Sequence, residues 1–154
     1  MIKQDDPVLN NQSYHPFFEY ACAVFDVMYY GVMYGSYVFS RTSFLSDIKQ
    51  CIRDGILDDE LTILNWNELC RVFKLPYKLV FENGTHKLPT NRTLKDDELQ
   101  ILYLYNPRTK YHHFVCGDKY NHITYDSLGE SVTGAAYKKG TGYVESKRVL
   151  RRIT

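Results

Sequence analysis

The sequence has no apolar run approaching the roughly 20 residues needed to span a bilayer, which leaves no expected membrane-crossing helix. Its opening stretch, MIKQDDPVLNNQ, has neither an apolar h-region nor a small-residue cleavage site, so no secretory signal is expected. Cysteine is sparse: Cys22, Cys51, Cys70 and Cys116 lie at wide spacings, with no C-x-x-C pair. Without a signal peptide these read as free thiols rather than a disulfide framework, and the expected compartment is the reducing cytoplasm. Net charge is nearly absent at +1, which argues against whole-molecule steering toward nucleic acid or anionic lipid. There is no internal repeat and no low-complexity linker.

What remains is an ordinary globular composition, 44% hydrophobic and 24% charged, over 154 residues. That length suits one domain and hides roughly 68–70% of the surface of the unfolded chain. Tyrosine is the exception, with 14 copies. These suit a sheet-rich core with half-buried aromatic faces.

Hydrophobic periodicity changes midway. Ala21, Val24, Phe25, Met28 and Val32 recur at helical steps, predicting a helix that ends near Gly31 or Gly35. A second helix follows a cap at Thr42 or Ser43, with Phe44, Leu45, Ile48, Cys51 and Ile52 inward and Gly55 near its end. A third, Asn65–Leu75, is stopped by Pro76. Strands are then predicted at Tyr77–Glu82, Glu98–Tyr105, His113–Gly117, His122–Ser127 and Tyr143–Ile153. Asn83–Asp97 and Gly129–Gly142 are polar and turn-rich and read as loops. Helices first and antiparallel strands afterwards indicate the α+β class.

Cys22 falls at or just before the first turn of the first helix. There, unpaired backbone N–H groups and the helix dipole favour a thiolate. The His113/Asp126 hairpin adds a second element. If Asp118–Asn121 forms the loop, His113 stands opposite Asp126 on the same face, and His112 faces Ser127 on the other. A carboxylate so placed takes the imidazole N–H and fixes its tautomer, leaving the second ring nitrogen for a thiol. A zinc site built from HHxxC and His122 is disfavoured, because strand parity separates His112 and Cys116 from His113 and His122. No metal and no cofactor is expected. Lys138, Lys139, Lys147, Arg148, Arg151 and Arg152 cluster late; they suit protection of a terminal edge strand better than a nucleic-acid contact.

The segments YACAVFDVMYYG, HHFVC and ITYDSLG, in the order Cys, His, Asp, resemble the papain-like cysteine peptidase superfamily, and most closely its compact branch related to bacteriocin-leader peptidases. YVESKRVLRRI is similar to the closing strand of that branch, and IRDGILDDELTILNWNELCRVF to the middle helices of a group of short papain-like proteins. The resemblance implies a single papain-like domain over 1–154, with N-terminal helices packed on a C-terminal antiparallel sheet. It also implies a cysteine-dependent peptidase or amidase acting on a peptide or protein substrate. Carried over by residue, Cys22 is the nucleophile, His113 the general base and then acid, and Asp126 its orienting partner. The family uses a Gln shortly before the Cys to help hold the oxyanion; Gln12 is the candidate, although it lies farther upstream than the usual spacing, and Ala23 replaces the glycine that commonly follows the nucleophile. These departures sustain an alternative expectation, a catalytically silent papain-like binding or effector domain. A nucleic-acid-binding module using the C-terminal basic strand is the third.

Overall fold

In the computed structural model, residues 3–6, 21–82 and 93–154 are described, and they form an α+β protein. The chain divides into two compact units, Met1–Tyr77 and Lys78–Thr154.

The first unit holds α1 (Cys22–Tyr34), α2 (Arg41–Arg53) and α3 (Trp66–Val72). Every residue of α1 from Ala23 to Met28 is buried, so α1 is a core helix and not the one-sided amphipathic helix that the sequence stripe suggests. By contrast α2 keeps a single inward stripe of Phe44, Leu45, Ile48 and Cys51. The three helices meet through aromatic rings. Phe44 lies 5.1 Å from Phe25 and 6.0 Å from Phe73 between ring centroids, and Tyr37 meets Phe73 edge-on at 5.0 Å. Gly31 and Gly35 make this packing close. A Cβ on Gly31 would stand 2.2 Å from the Phe73 carbonyl oxygen, and one on Gly35 would stand 2.2 Å from that of Lys74. The cap of α2 is Ser40, two positions before Thr42 and three before Ser43: it accepts from the Ser43 N–H, as Asn65 does from the Glu68 N–H at the start of α3. Gly55, at φ +72°, turns the chain after α2 in a conformation that suits glycine.

Among the described residues the five strands are β1 (Tyr77–Glu82), β2 (Glu98–Asn106), β3 (Tyr111–Gly117), β4 (Ile123–Tyr125) and β5 (Tyr143–Arg152), in sheet order β1-β5-β2-β3-β4. Central β2 runs antiparallel to both β3 and β5. Opposed pairs Leu104/His113 and Leu102/Val115 share one face, where Leu102, Leu104 and Val115 form a core with Ile123, Tyr137 and Val144. Tyr103, Tyr105, His112 and Phe114 share the other and are stacked on one another, with ring centroids 4.3 to 4.7 Å apart. This is the half-buried aromatic sheet face that the tyrosine content suggests.

Three expectations are corrected. The C-terminal strand β5 is not an edge strand, because it lies between β1 and β2. The stretch Gly129–Gly142 is not all loop: it contains α4 (Val132–Lys138), capped by Ser131. Seven residues rich in small side chains are too short to show a helical period. The β3/β4 register also differs. Cys116 pairs with Tyr125 and Gly117 with Ile123, with an irregularity between them, and β4 ends at Tyr125. Asp126 therefore lies beyond the ladder, where the Tyr125 register would carry it opposite Val115, two residues from His113. A slip of two residues preserves the face, which is why His113 and Asp126 still meet.

Candidate functional site

His113 is set by β3 on the buried face, its side chain only 7% exposed. Its Nε2 lies 2.8 Å from Asp126 Oδ1. Asp126 opens a tight turn in which the Gly129 N–H donates to the Asp126 carbonyl, 2.8 Å, and Gly129 takes φ +82°. The carboxylate is held on both oxygens. Oδ1 also accepts from the Leu128 N–H at 3.0 Å; Oδ2 accepts from the Ser131 N–H at 3.1 Å and from the Ser131 hydroxyl at 2.5 Å. Burial by itself would raise its pKa. The bond and charge of His113, the Ser131 hydroxyl and the Leu128 N–H outweigh that burial and bring it from 3.8 down to about 2. An ionised carboxylate only accepts, so the proton between the two residues belongs to His113 Nε2. In the neutral ring Nδ1 is then the basic nitrogen.

Ser131 is the member of this group that sequence reasoning missed. Its signal was a serine three residues ahead of Gly134 at the head of a small-residue run, the pattern of an N-cap.

Cys22 is the first residue of α1. Ala21 stands in the cap position and supplies no side-chain bond, whereas Ser40, Asn65 and Ser131 cap the other three described helices. Cys22 is also the one partly exposed cysteine; Cys51, Cys70 and Cys116 are buried. Burial, with the charges of Asp47 and Asp54, pushes the Cys51 thiol up to about 11, and burial pushes that of Cys70 up to about 12. The first unit thus carries the thiol, and the second carries the histidine and the carboxylate. Gln12 lies outside the described residues.

The other described histidines and the late basic residues go elsewhere. His112 Nε2 lies 2.5 Å from Glu145 Oε2, and exposed His122 has Nδ1 3.4 Å from Asp118 Oδ2. Among the described residues no three His, Cys, Asp or Glu side chains gather as a metal ion would require. Of the six late basic residues, three are engaged within the second unit. Lys147 is buried with Nζ donating to Gln100 Oε1 at 3.2 Å, Arg148 pairs with Glu82, and Arg151 pairs with Glu98 through Nε and Nη2. Among the described residues no helix is long and apolar enough to cross a membrane.

No curated protein and no solved structure matches this chain. A family model described as "Protein of unknown function, DUF261" matches residues 1–152, nearly the full length, and the chain belongs to that family.

Proposed function

We propose that the protein is a cysteine-dependent hydrolase of papain-like type, acting on a peptide or amide bond through Cys22, His113 and Asp126. The observation that carries this reading is the buried His113–Asp126 bond, whose ionised carboxylate fixes the imidazole with Nε2 protonated and Nδ1 basic. The start of α1 supports the thiol's role: Cys22 is its first residue, and Ala21 in the cap position supplies no side-chain bond. Helices in the first unit and an antiparallel sheet in the second fit the order of a papain-like chain, and four free thiols fit a reducing cytoplasm.

In this reading Nδ1 takes the Cys22 proton and the thiolate attacks the substrate carbonyl carbon. The oxyanion is met by the Cys22 backbone N–H as one donor. The imidazolium returns its proton to the departing amine as the C–N bond breaks, leaving a thioester on Cys22. Water then attacks the thioester, Nδ1 takes a proton from it, and the carboxylic acid leaves as the sulfur regains its proton. No cofactor enters these steps.

The test is site-resolved alkylation of the native protein with iodoacetamide near neutral pH. Cys22 is expected to react ahead of Cys51, Cys70 and Cys116, and to slow when His113 is replaced by alanine. Four thiols that react alike in denaturant and not at all in the native protein would sink the proposal. Selective alkylation of Cys22 that is unchanged by His113→Ala would favour a silent binding domain.

A further inference from the structure

We propose that Ser131 is a positioning residue of this centre: its hydroxyl, donated to Asp126 Oδ2, holds the carboxylate turned with Oδ1 on His113, in a space that exists because residue 134 has no side chain. The inference rests on the reading of His113 and Asp126 as the base and its orienting partner.

The direction of the Ser131 hydroxyl follows from its two neighbours. Its oxygen accepts from the Gly134 N–H at 2.9 Å and lies 2.5 Å from Asp126 Oδ2. The Gly134 amide donates and an ionised carboxylate only accepts, so the hydroxyl proton is committed to Asp126. The result is one chain of polar bonds, from the Gly134 N–H through the Ser131 hydroxyl and the carboxylate to the imidazole. Ser131 is 5% exposed, so water is poorly placed to substitute for it.

An independent observation is spatial. A Cβ on Gly134 would stand 2.8 Å from Asp126 Oδ2 and 2.7 Å from Ser131 Oγ. Glycine is a poorer helix residue than alanine. Here its missing Cβ admits the carboxylate to the first turn of α4.

Capping alone does not require a serine. A cap has only to accept from the amide, and glycine is well tolerated at that position. Holding Asp126 requires a donor. Ser131→Gly therefore removes the donated hydroxyl with little effect on the helix, Ser131→Thr keeps it, and Gly134→Ala leaves Ser131 intact but fills its space. The experiment follows the His113 Nε2–H proton and the Asp126 carboxyl carbon by NMR across a pH titration of the full chain, beside the pH profile of Cys22 alkylation.

Ser131→Gly and Gly134→Ala are expected to lose the slowly exchanging His113 Nε2–H signal and to move the Asp126 titration upward, toward the ordinary carboxylate range. Ser131→Thr should keep both near wild type. Wild-type spectra in Ser131→Gly, or in Gly134→Ala should Ser131→Gly not fold, would overturn the proposal. If the spectra move while Cys22 alkylation ignores both Ser131 and His113, the positioning role stands and the hydrolase reading fails. If alkylation depends on His113 and the spectra do not move, the reverse holds.

Discussion

His112 and His113 are consecutive residues of β3, yet each brings its Nε2 to a carboxylate on a different face of the sheet: Glu145 Oε2 at 2.5 Å and Asp126 Oδ1 at 2.8 Å. Strand alternation makes this unavoidable. The two environments differ. The His113 side chain is 7% exposed and its carboxylate has three other bonds from protein donors, whereas that of His112 is 35% exposed and stacks on Tyr103 with 6° between the ring planes. Replacing each by alanine therefore separates the two roles. Under the proposed function, His113→Ala is expected to slow Cys22 alkylation at neutral pH by about tenfold or more. His112→Ala should leave the rate within about twofold. Rates measured by mass spectrometry over a time course decide it.

Asp126 makes acid stability a second readout. Its folded-state pKa is depressed from 3.8 to about 2, so its stabilisation is full above about pH 4 and is lost as pH falls toward 2. The expected contribution is about 1–2 kcal/mol at neutral pH, after allowance for solvent screening. Urea unfolding at pH 7 and at pH 2.5 should show a smaller difference for Asp126→Asn than for wild type.

Gly31→Ala should destabilise the first unit, although alanine is the better helix former. The added methyl would meet the Phe73 carbonyl oxygen at 2.2 Å and the Phe73 Cβ at 3.0 Å. Backbone gives way less easily than a side-chain tip, so a loss of about 1–3 kcal/mol is expected, measured as a lower urea midpoint with an unchanged slope. Recovery of wild-type stability would show that α1 moves away from α3 without cost.

Arg151 and Arg152 are adjacent and should behave differently. Arg151 holds Glu98 Oε2 through Nε at 3.2 Å and Nη2 at 2.9 Å, and the Glu98 side chain is fully buried. Arg151→Ala strips that buried carboxylate of its guanidinium partner and should cost about 2–3 kcal/mol. Arg152 is exposed, and Arg152→Ala should change stability by no more than about 0.5 kcal/mol. If the C-terminal basic residues serve nucleic acid instead, both variants should weaken a steeply salt-dependent binding to an oligonucleotide at low salt.

The sequence was legible where pattern and length agreed. Tyr77–Glu82 matches its expected bounds, and β2 and β5 differ from theirs by one residue at one end. The α1 start at Cys22 was legible because an apolar helical stripe begins there. The His113–Asp126 partnership was legible through parity alone: the assumed register failed, and the shared face survived because the displacement is even. α4 and Ser131 were hidden for a different reason. A seven-residue helix containing a glycine has neither the period nor the propensity to announce itself, and its glycine is explained by a contact 8 residues back in sequence, at Asp126. Tertiary fit overrode local preference there.

Because Asp126 sits beyond β4, its carboxylate is anchored by the amides of Leu128 and Ser131 and, through the Ser131 hydroxyl, linked to that of Gly134. Those amides are consequently reporters of its ionisation. Neutralising one side chain weakens the acceptors on which they depend, so a local loss of deuterium protection at three backbone positions should precede global acid unfolding. The charge state of the carboxylate becomes readable from the main chain, with no substrate and no inhibitor.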